Sequence, residues 1–287
     1  MVLSNIRSLG VPQKAIDLDS IREFIEDTGT KRICFAFSHK NALRQTQGKD
    51  IAGWLNLPFD EPFESIARHE LGLNRVLFPP KSGVSYYRRI DTEAEFQKLE
   101  AFIEKYLDIV FLRDTLDLSV ALSMHESEPN VRTTLGEHEY NLKYQSENNN
   151  TQVDMAALMA EMQKRLEELP YFRYADYICC VPSAHPIMLG VISGLKGFDF
   201  VDISNQVSWV NKQGSLKNVV TAEQKLAMIQ SWGLQISEDI DMKDKTVLLV
   251  DDMYQSGVSM QYVGMRLKEA GVKRVFGMTL VKSLGNQ

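Results

Sequence analysis

Two adjacent carboxylates, Asp251 and Asp252, follow four aliphatic residues in the stretch VLLVDDMYQSGVSM (247–260), and a Ser-Gly-x-Ser turn follows them. Burying neighbouring carboxylates without partners is costly, so the pair is expected to meet water, a metal ion or hydroxyl groups. The turn itself, Met253, Tyr254, Gln255, Ser256, Gly257, Val258 and Ser259, leads into a helix expected over 257–271. Free backbone N–H groups at such a helix start, the hydroxyls of Ser256 and Ser259, and the close approach allowed by Gly257 make a small cradle for a phosphate. Carboxylates that accept from hydroxyls, set beside a phosphate cradle, match the layout of a ribose 5-phosphate. A plainer reading is a strand-end turn with solvated carboxylates.

The elements that would position these groups follow an α/β pattern. TVLLV (246–250) reads as a buried strand, and RVFGMTLV (274–281) as the strand after the helix. Upstream, YICCV (177–181) is a strand ending in PSAHP, FDFVDI (198–203) a second strand, and TAEQKLAMIQSWG (221–233) a capped helix stopped by Gly233. VDMAALMAEMQKRLEELP (153–170) reads as a packed helix with Asp154 as its cap and methionines as core filler. This alternation predicts a mainly parallel sheet, in which strand ends bring ligand-binding loops to one edge. Earlier still, helices are expected over 18–28, 61–72 and 93–111, strands over 31–37 and 75–78, and a surface loop over the polar run SENNNTQ (146–152). A receiver-type domain also starts with acidic residues at a strand end, but here too little chain follows Asp252.

Composition bounds the possibilities. The 287 residues are 44% hydrophobic and 24% charged, which suits one large or two moderate globular domains. No apolar run approaches the roughly 18 residues of a membrane span, and the start, MVLSNIRSLGVPQK, lacks the apolar centre of a signal peptide, so a cytoplasmic protein is expected. Three cysteines, Cys34, Cys179 and Cys180, are too few for a disulfide framework or a four-cysteine zinc site. A net charge of −6 argues against a surface that coats nucleic acid, although Lys212 to Lys217 forms a local basic patch.

The stretch VLLVDDMYQSGVS resembles the PRPP-binding signature of type I phosphoribosyltransferases: hydrophobic residues, two acidic residues, then a Thr/Ser-rich turn with glycine. With Tyr254 in the turn and LKEAGVKRVFGMTLVKS behind it, the sequence is most similar to the ComF-like branch. The likeness extends to DYICCVPSAHP, which stands where the family has a strand ending in its pyrophosphate loop, and to LGEHEYNLKYQ (135–145), which resembles the Lys-Tyr segment opening ComF-like domains. It covers roughly residues 130–285. The resemblance implies that Asp251 and Asp252 hold ribose hydroxyls and, directly or indirectly, Mg²⁺, and that Met253 to Ser259 holds the 5-phosphate. It further implies PRPP as substrate, a nitrogen acceptor, dimers as a common state, and a loop closing over the site. Departures are equally visible. The zinc ribbon of ComF-like proteins has no cysteines to build it here, and PSAHPIMLGVISGLKG replaces their arginine-rich loop.

Other candidates have competing readings. Pro182, Ser183, Ala184 and His185 form the candidate pyrophosphate loop, or a plain strand-to-helix connection. SWVNKQGSLKNVV (208–220) looks like the mobile loop, where Lys212 and Lys217 would neutralise pyrophosphate or simply face water. Cys179 and Cys180 alternate across a strand and cannot share a ligand, so both are expected in the core. His39, Lys40 and Arg44 line a pocket or, more simply, sit on a solvated loop. The combined expectation is a phosphoribosyltransferase-like α/β domain over 131–287 behind an N-terminal α/β domain over 1–130 that serves as a hood or partner module. The function the resemblance implies is Mg²⁺-dependent transfer from PRPP to a nitrogen acceptor such as a nucleobase. The alternatives are a catalytically silent PRPP or nucleotide sensor acting through a partner, and a scaffold that kept only the fold.

Overall fold

A computed structural model describes residues 11–27, 34–39, 42–46, 50–79, 85–145, 151–183, 185 and 187–284. The chain runs through α1 (Leu18–Glu26), β1 (Cys34–Ala36), β2 (Leu43–Gln45), β3 (Gly53–Leu57), α2 (Phe63–Leu71), β4 (Tyr86–Ile90), α3 (Glu93–Lys105), β5 (Val110–Leu112), β6 (Leu118–Met124), β7 (Glu126–Glu128), β8 (Val131–Arg132) and α4 (Thr134–Tyr144). It continues with α5 (Thr151–Glu168), α6 (Pro170–Arg173), β9 (Tyr177–Cys180), α7 (Ile187–Ser193), β10 (Val201–Asp202), β11 (Val207–Trp209), α8 (Ala222–Trp232), β12 (Leu234–Ile236), β13 (Thr246–Tyr254), α9 (Val258–Glu269) and β14 (Arg274–Lys282). Lys40 and most of SENNNTQ lie outside the described residues, as do the first residues of the strand expected at 31–37.

The architecture is mixed α/β around a seven-stranded sheet ordered β1-β5-β6-β14-β13-β9-β10. From β6 to β10 every pairing is parallel, while β5 is antiparallel to both β1 and β6. β13 sits inside this sheet, and Val247 to Val250 are fully buried because helices cover both faces. Leu248 and Val250 pack with Leu158 and Met162 of α5, whereas Val247 and Leu249 pack with Val258 and Val263 of α9. Each such side chain contributes about 1.5–3 kcal/mol of hydrophobic stabilisation, which anchors the strand end that follows. Cys179 and Cys180 fall on opposite faces in these same two cores, as their alternation predicts.

The sheet draws strands from both sides of residue 130. β6 pairs with β14 from Phe276↔Leu118 to Lys282↔Met124, so a division at residue 130 divides the sequence but not the sheet. A smaller antiparallel sheet, β2-β3-β4, holds the N-terminal residues that pack on the same core. Arg44 stands exposed on β2, within a run expected as a loop.

Several elements differ from expectation for identifiable reasons. The helix expected over 93–111 stops at Lys105, because Val110 and Phe111 are taken up by β6 as ladder partners of Ala121 and Val120. The strand expected at 75–78 is reduced to a bridge between Phe78 and Tyr87, since the Glu64 carboxylate accepts from the N–H groups of Val76 (2.9 Å) and Leu77 (2.7 Å). Of FDFVDI only Val201–Asp202 pairs, at the sheet edge, while Phe198 and Phe200 stack on each other. Asp154 caps nothing: α5 starts at Thr151, and Asp154 lies buried within it, 2.7 Å from His138 Nδ1 of α4. No helix among the described residues is long and apolar enough to cross a membrane.

Candidate functional site

β13 outruns β9, whose last partner is Val250↔Cys180, and the overhang carries Asp251 and Asp252. The acidic pair therefore lies on strand, not in a turn, and its members diverge. Asp251 is half-buried and faces a cavity of about 390 Å³, while Asp252 is buried. The Asp252 N–H donates to Asp251 Oδ1 (3.0 Å). Asp252 does not await a ligand cation alone: Lys143 Nζ of α4 lies 3.0 Å from its Oδ2. Burial and the neighbouring Asp252 charge push the Asp251 carboxyl well above the usual carboxylate range.

Lys143 is itself held by Glu139, one helical turn earlier, and Glu139 is paired on its other side with His125 Nε2 at 3.4 Å. Burial alone would raise the Glu139 carboxyl, but His125 and Lys143 hold it below its usual value. For Lys143 burial works downward, and the charges of Asp252 and Glu139 more than offset it, so its ammonium is raised. The resemblance of LGEHEYNLKYQ to a domain-opening segment gives Glu139 and Lys143 no role of their own. Their i, i+4 spacing in a helix was the available signal.

After Tyr254 the chain turns through Gln255, Ser256 and Gly257 into α9. Gly257 has φ 70°, and a Cβ there would collide with the Tyr254 phenol, so glycine is required on both counts. The helix start has no side-chain cap, and its first backbone bond runs from Gln261 N to Gly257 O at 2.9 Å. The N–H groups of Val258, Ser259 and Met260 thus precede the intrahelical ladder and point to the 390 Å³ cavity, which Ser256 and Ser259 also line. Two of the turn's side chains are not available to a ligand. Val258 is buried in the core, and the Tyr254 hydroxyl donates to Asp114 Oδ2 (3.2 Å) beneath the turn. Asp114, which no sequence signal marked, also accepts from Leu116 N and Ser119 Oγ; burial raises its carboxyl to about 6.

The same cavity is lined by Ser183, His185, Lys212 and Lys217, with Met253 and Gln255. Pro182 lines a second cavity of about 180 Å³ together with Ser183, His185, Asp251 and Asp252; Ala184 lies outside the described residues. An acidic strand end, an open helix start and the loop after β9 so meet at one edge of a parallel sheet. Residues 151–285 match the phosphoribosyl transferase domain family.

The C-terminal half carries a phosphoribosyltransferase domain. A search of curated proteins returns no match. Among solved structures, a hypoxanthine-guanine phosphoribosyltransferase from Bacillus anthracis str. 'Ames Ancestor' shares 15% identity over 45% of this chain and 67% of its own, with a TM-score of 0.29. The matched segment begins after α4, so Glu139 and Lys143 lie outside the matched residues.

In this domain the segment expected as a mobile loop starts as β11, paired antiparallel with β12. Trp209 Nε1 donates to the Pro182 carbonyl (2.8 Å), and Lys212 Nζ reaches the same oxygen at 3.4 Å while standing over the Trp232 ring. Partial burial lowers the Lys212 ammonium, against the pull of Asp251 and Asp252. Lys217 is exposed on the cavity rim.

No group of three or more His, Cys, Asp or Glu side chains is gathered for a metal among the described residues. With Asp252 paired to Lys143, Asp251 is the carboxylate open to the cavity. That donor set fits Mg²⁺ that draws its other oxygens from a phosphorylated substrate and water.

Proposed function

We propose that the protein is a Mg²⁺-dependent phosphoribosyltransferase that transfers the 5-phosphoribosyl group of PRPP to a nitrogen of an acceptor, a nucleobase, with release of pyrophosphate. The observation that supports this most is that Asp251 and the uncapped start of α9 open into one cavity. The backbone N–H groups of Val258 to Met260, with the Ser256 and Ser259 hydroxyls, hold the 5-phosphate. Asp251 and Asp252 accept from the ribose hydroxyls. His185 and Lys212 donate to the pyrophosphate, and the N–H of Ser183 faces it. Asp251 would hold Mg²⁺ together with the substrate, and the bound ion would supply charge neutralisation at the pyrophosphate.

The bond from ribose C1 to pyrophosphate oxygen breaks as the C1–N bond forms, through an oxocarbenium-like state, and the acceptor nitrogen loses a proton. Asp251, the member of the pair without an ammonium partner, is placed to take it. Such chemistry rests on positioning and charge neutralisation more than on a protein nucleophile. The ComF-like signature in the sequence suits this assignment, as does a homodimer or a partner bound through the N-terminal region, in a cytoplasmic setting.

The second reading, a PRPP sensor without turnover, is favoured by the loop after β9. It offers no arginine, and its neighbouring Lys212 ammonium is drawn to the Pro182 carbonyl at 3.4 Å. Calorimetric titration of PRPP with Mg²⁺, combined with phosphorus NMR of pyrophosphate release, tests both. Binding by the wild type that is lost in Asp251→Asn/Asp252→Asn, with pyrophosphate released on adding nucleobases, is the expected result. Binding without release under any nucleobase leaves the sensor, and absence of binding overturns both.

A further inference from the structure

Asp252 has a resident partner, and that partner is built with care. Lys143 reaches it from α4, a helix whose first turn is capped by the Thr133 hydroxyl accepting from Gly136 N (3.0 Å). The same hydroxyl donates to the Met124 carbonyl, and Thr133 N donates to the His125 carbonyl (3.1 Å), so the helix start is tied to the end of β6. Gly136 lies so close to that carbonyl that a Cβ would collide with it. Glu139, with no exposed surface, then grips the Lys143 ammonium from within the helix, and His125 closes the row behind it.

A long lysine side chain ordinarily gives up considerable rotamer freedom to occupy one place. Here two carboxylates from different elements fix it, and the far end of the row is anchored in the sheet. A solvated surface pair needs none of this. We propose that Lys143, held by Glu139 with His125 behind it, is a positioning residue of the site: it fixes Asp252 in the orientation that receives the ribose hydroxyls. The inference rests on the PRPP reading above and concerns residues outside the matched phosphoribosyltransferase segment.

The consequence is selective. Removing Lys143 leaves the α9 cradle untouched but lets the Asp252 carboxylate swing away from the position that receives the ribose hydroxyls. The test compares three probes by calorimetry, namely PRPP with Mg²⁺, ribose 5-phosphate and inorganic phosphate, on wild type, Lys143→Met, Lys143→Arg, Asp252→Asn and Asp252→Asn/Lys143→Met. Lys143→Met is expected to weaken PRPP and ribose 5-phosphate roughly tenfold, the scale of one lost charge-assisted contact, with inorganic phosphate unchanged. Lys143→Arg restores most of the loss. Lys143→Met adds little on top of Asp252→Asn, because the two act as a unit.

Unchanged PRPP affinity in folded Lys143→Met, or a parallel loss for inorganic phosphate, overturns the inference and leaves the PRPP site standing. Failure of the wild type to bind PRPP overturns both. Should Lys143→Met not fold, Glu139→Gln serves in its place: it frees the ammonium from its anchor, and undiminished ribose 5-phosphate affinity there overturns the inference.

Discussion

At the scale of residues, the strand end sorts two identical side chains into different roles. Asp252 is buried against an ammonium, and Asp251 is left facing the cavity with a raised carboxyl. A pair whose environments differ in this way divides tasks that the sequence presents as one motif. Asp114 shows the same principle below the site. Its carboxyl rises from 3.8 to about 6 because burial outweighs the bonds from Leu116, Ser119 and Tyr254. A raised acid favours the folded state while protonated, so its contribution is fully present below about pH 4 and is lost as the pH climbs to 6. That amounts to roughly 3 kcal/mol. Urea unfolding of wild type and Asp114→Asn across pH 4 to 7 checks this. The stability difference is expected to move toward the variant by that order as the pH rises, and a flat difference would show that Asp114 does not titrate with folding. The acidic pair and the glycine turn were legible as sequence. Asp114 and Glu139 were not, because each acts through a partner 140 and four residues away that only folding supplies or aligns.

At the scale of elements, α4 matters more than its composition suggests. It meets the sheet through Gly136, where a methyl group has no room against the His125 carbonyl, and it delivers Lys143 two turns later. Gly136→Ala should cost about 1–3 kcal/mol of stability by overpacking and weaken PRPP binding by moving Lys143 away from Asp252. Urea unfolding and calorimetry on the same sample measure both, and a destabilised variant with wild-type PRPP affinity would separate α4 from the site. Periodicity located the helices that flank β13 well, since Thr221, Gly233 and Gly257 mark their ends. It misjudged 93–111 and 75–78, where the ladder of β6 and the carboxylate of Glu64 decided the backbone pairing. Both deciding groups lie elsewhere in the chain.

At the scale of the whole molecule, the shared sheet predicts that the phosphoribosyltransferase half does not stand alone. Without β6, the long and almost wholly buried β14 becomes an exposed edge over most of its length. A chain of residues 131–287 is expected to lack a cooperative urea transition and to bind ANS, whereas a sharp transition with the slope proper to its size would show an independent domain. By itself the sequence determined the parallel α/β plan, the strands and helices around the acidic pair though not β11 and β12, and the place of that pair, because apolar periodicity, caps and glycines are local properties of the chain. The tertiary structure alone decided that β1, β5 and β6 complete the same sheet, that Tyr254 turns inward onto Asp114, and that Lys143 takes one of the two aspartates. These outcomes depend on which buried charges and strand edges find partners at long sequence separation, and no local pattern encodes that.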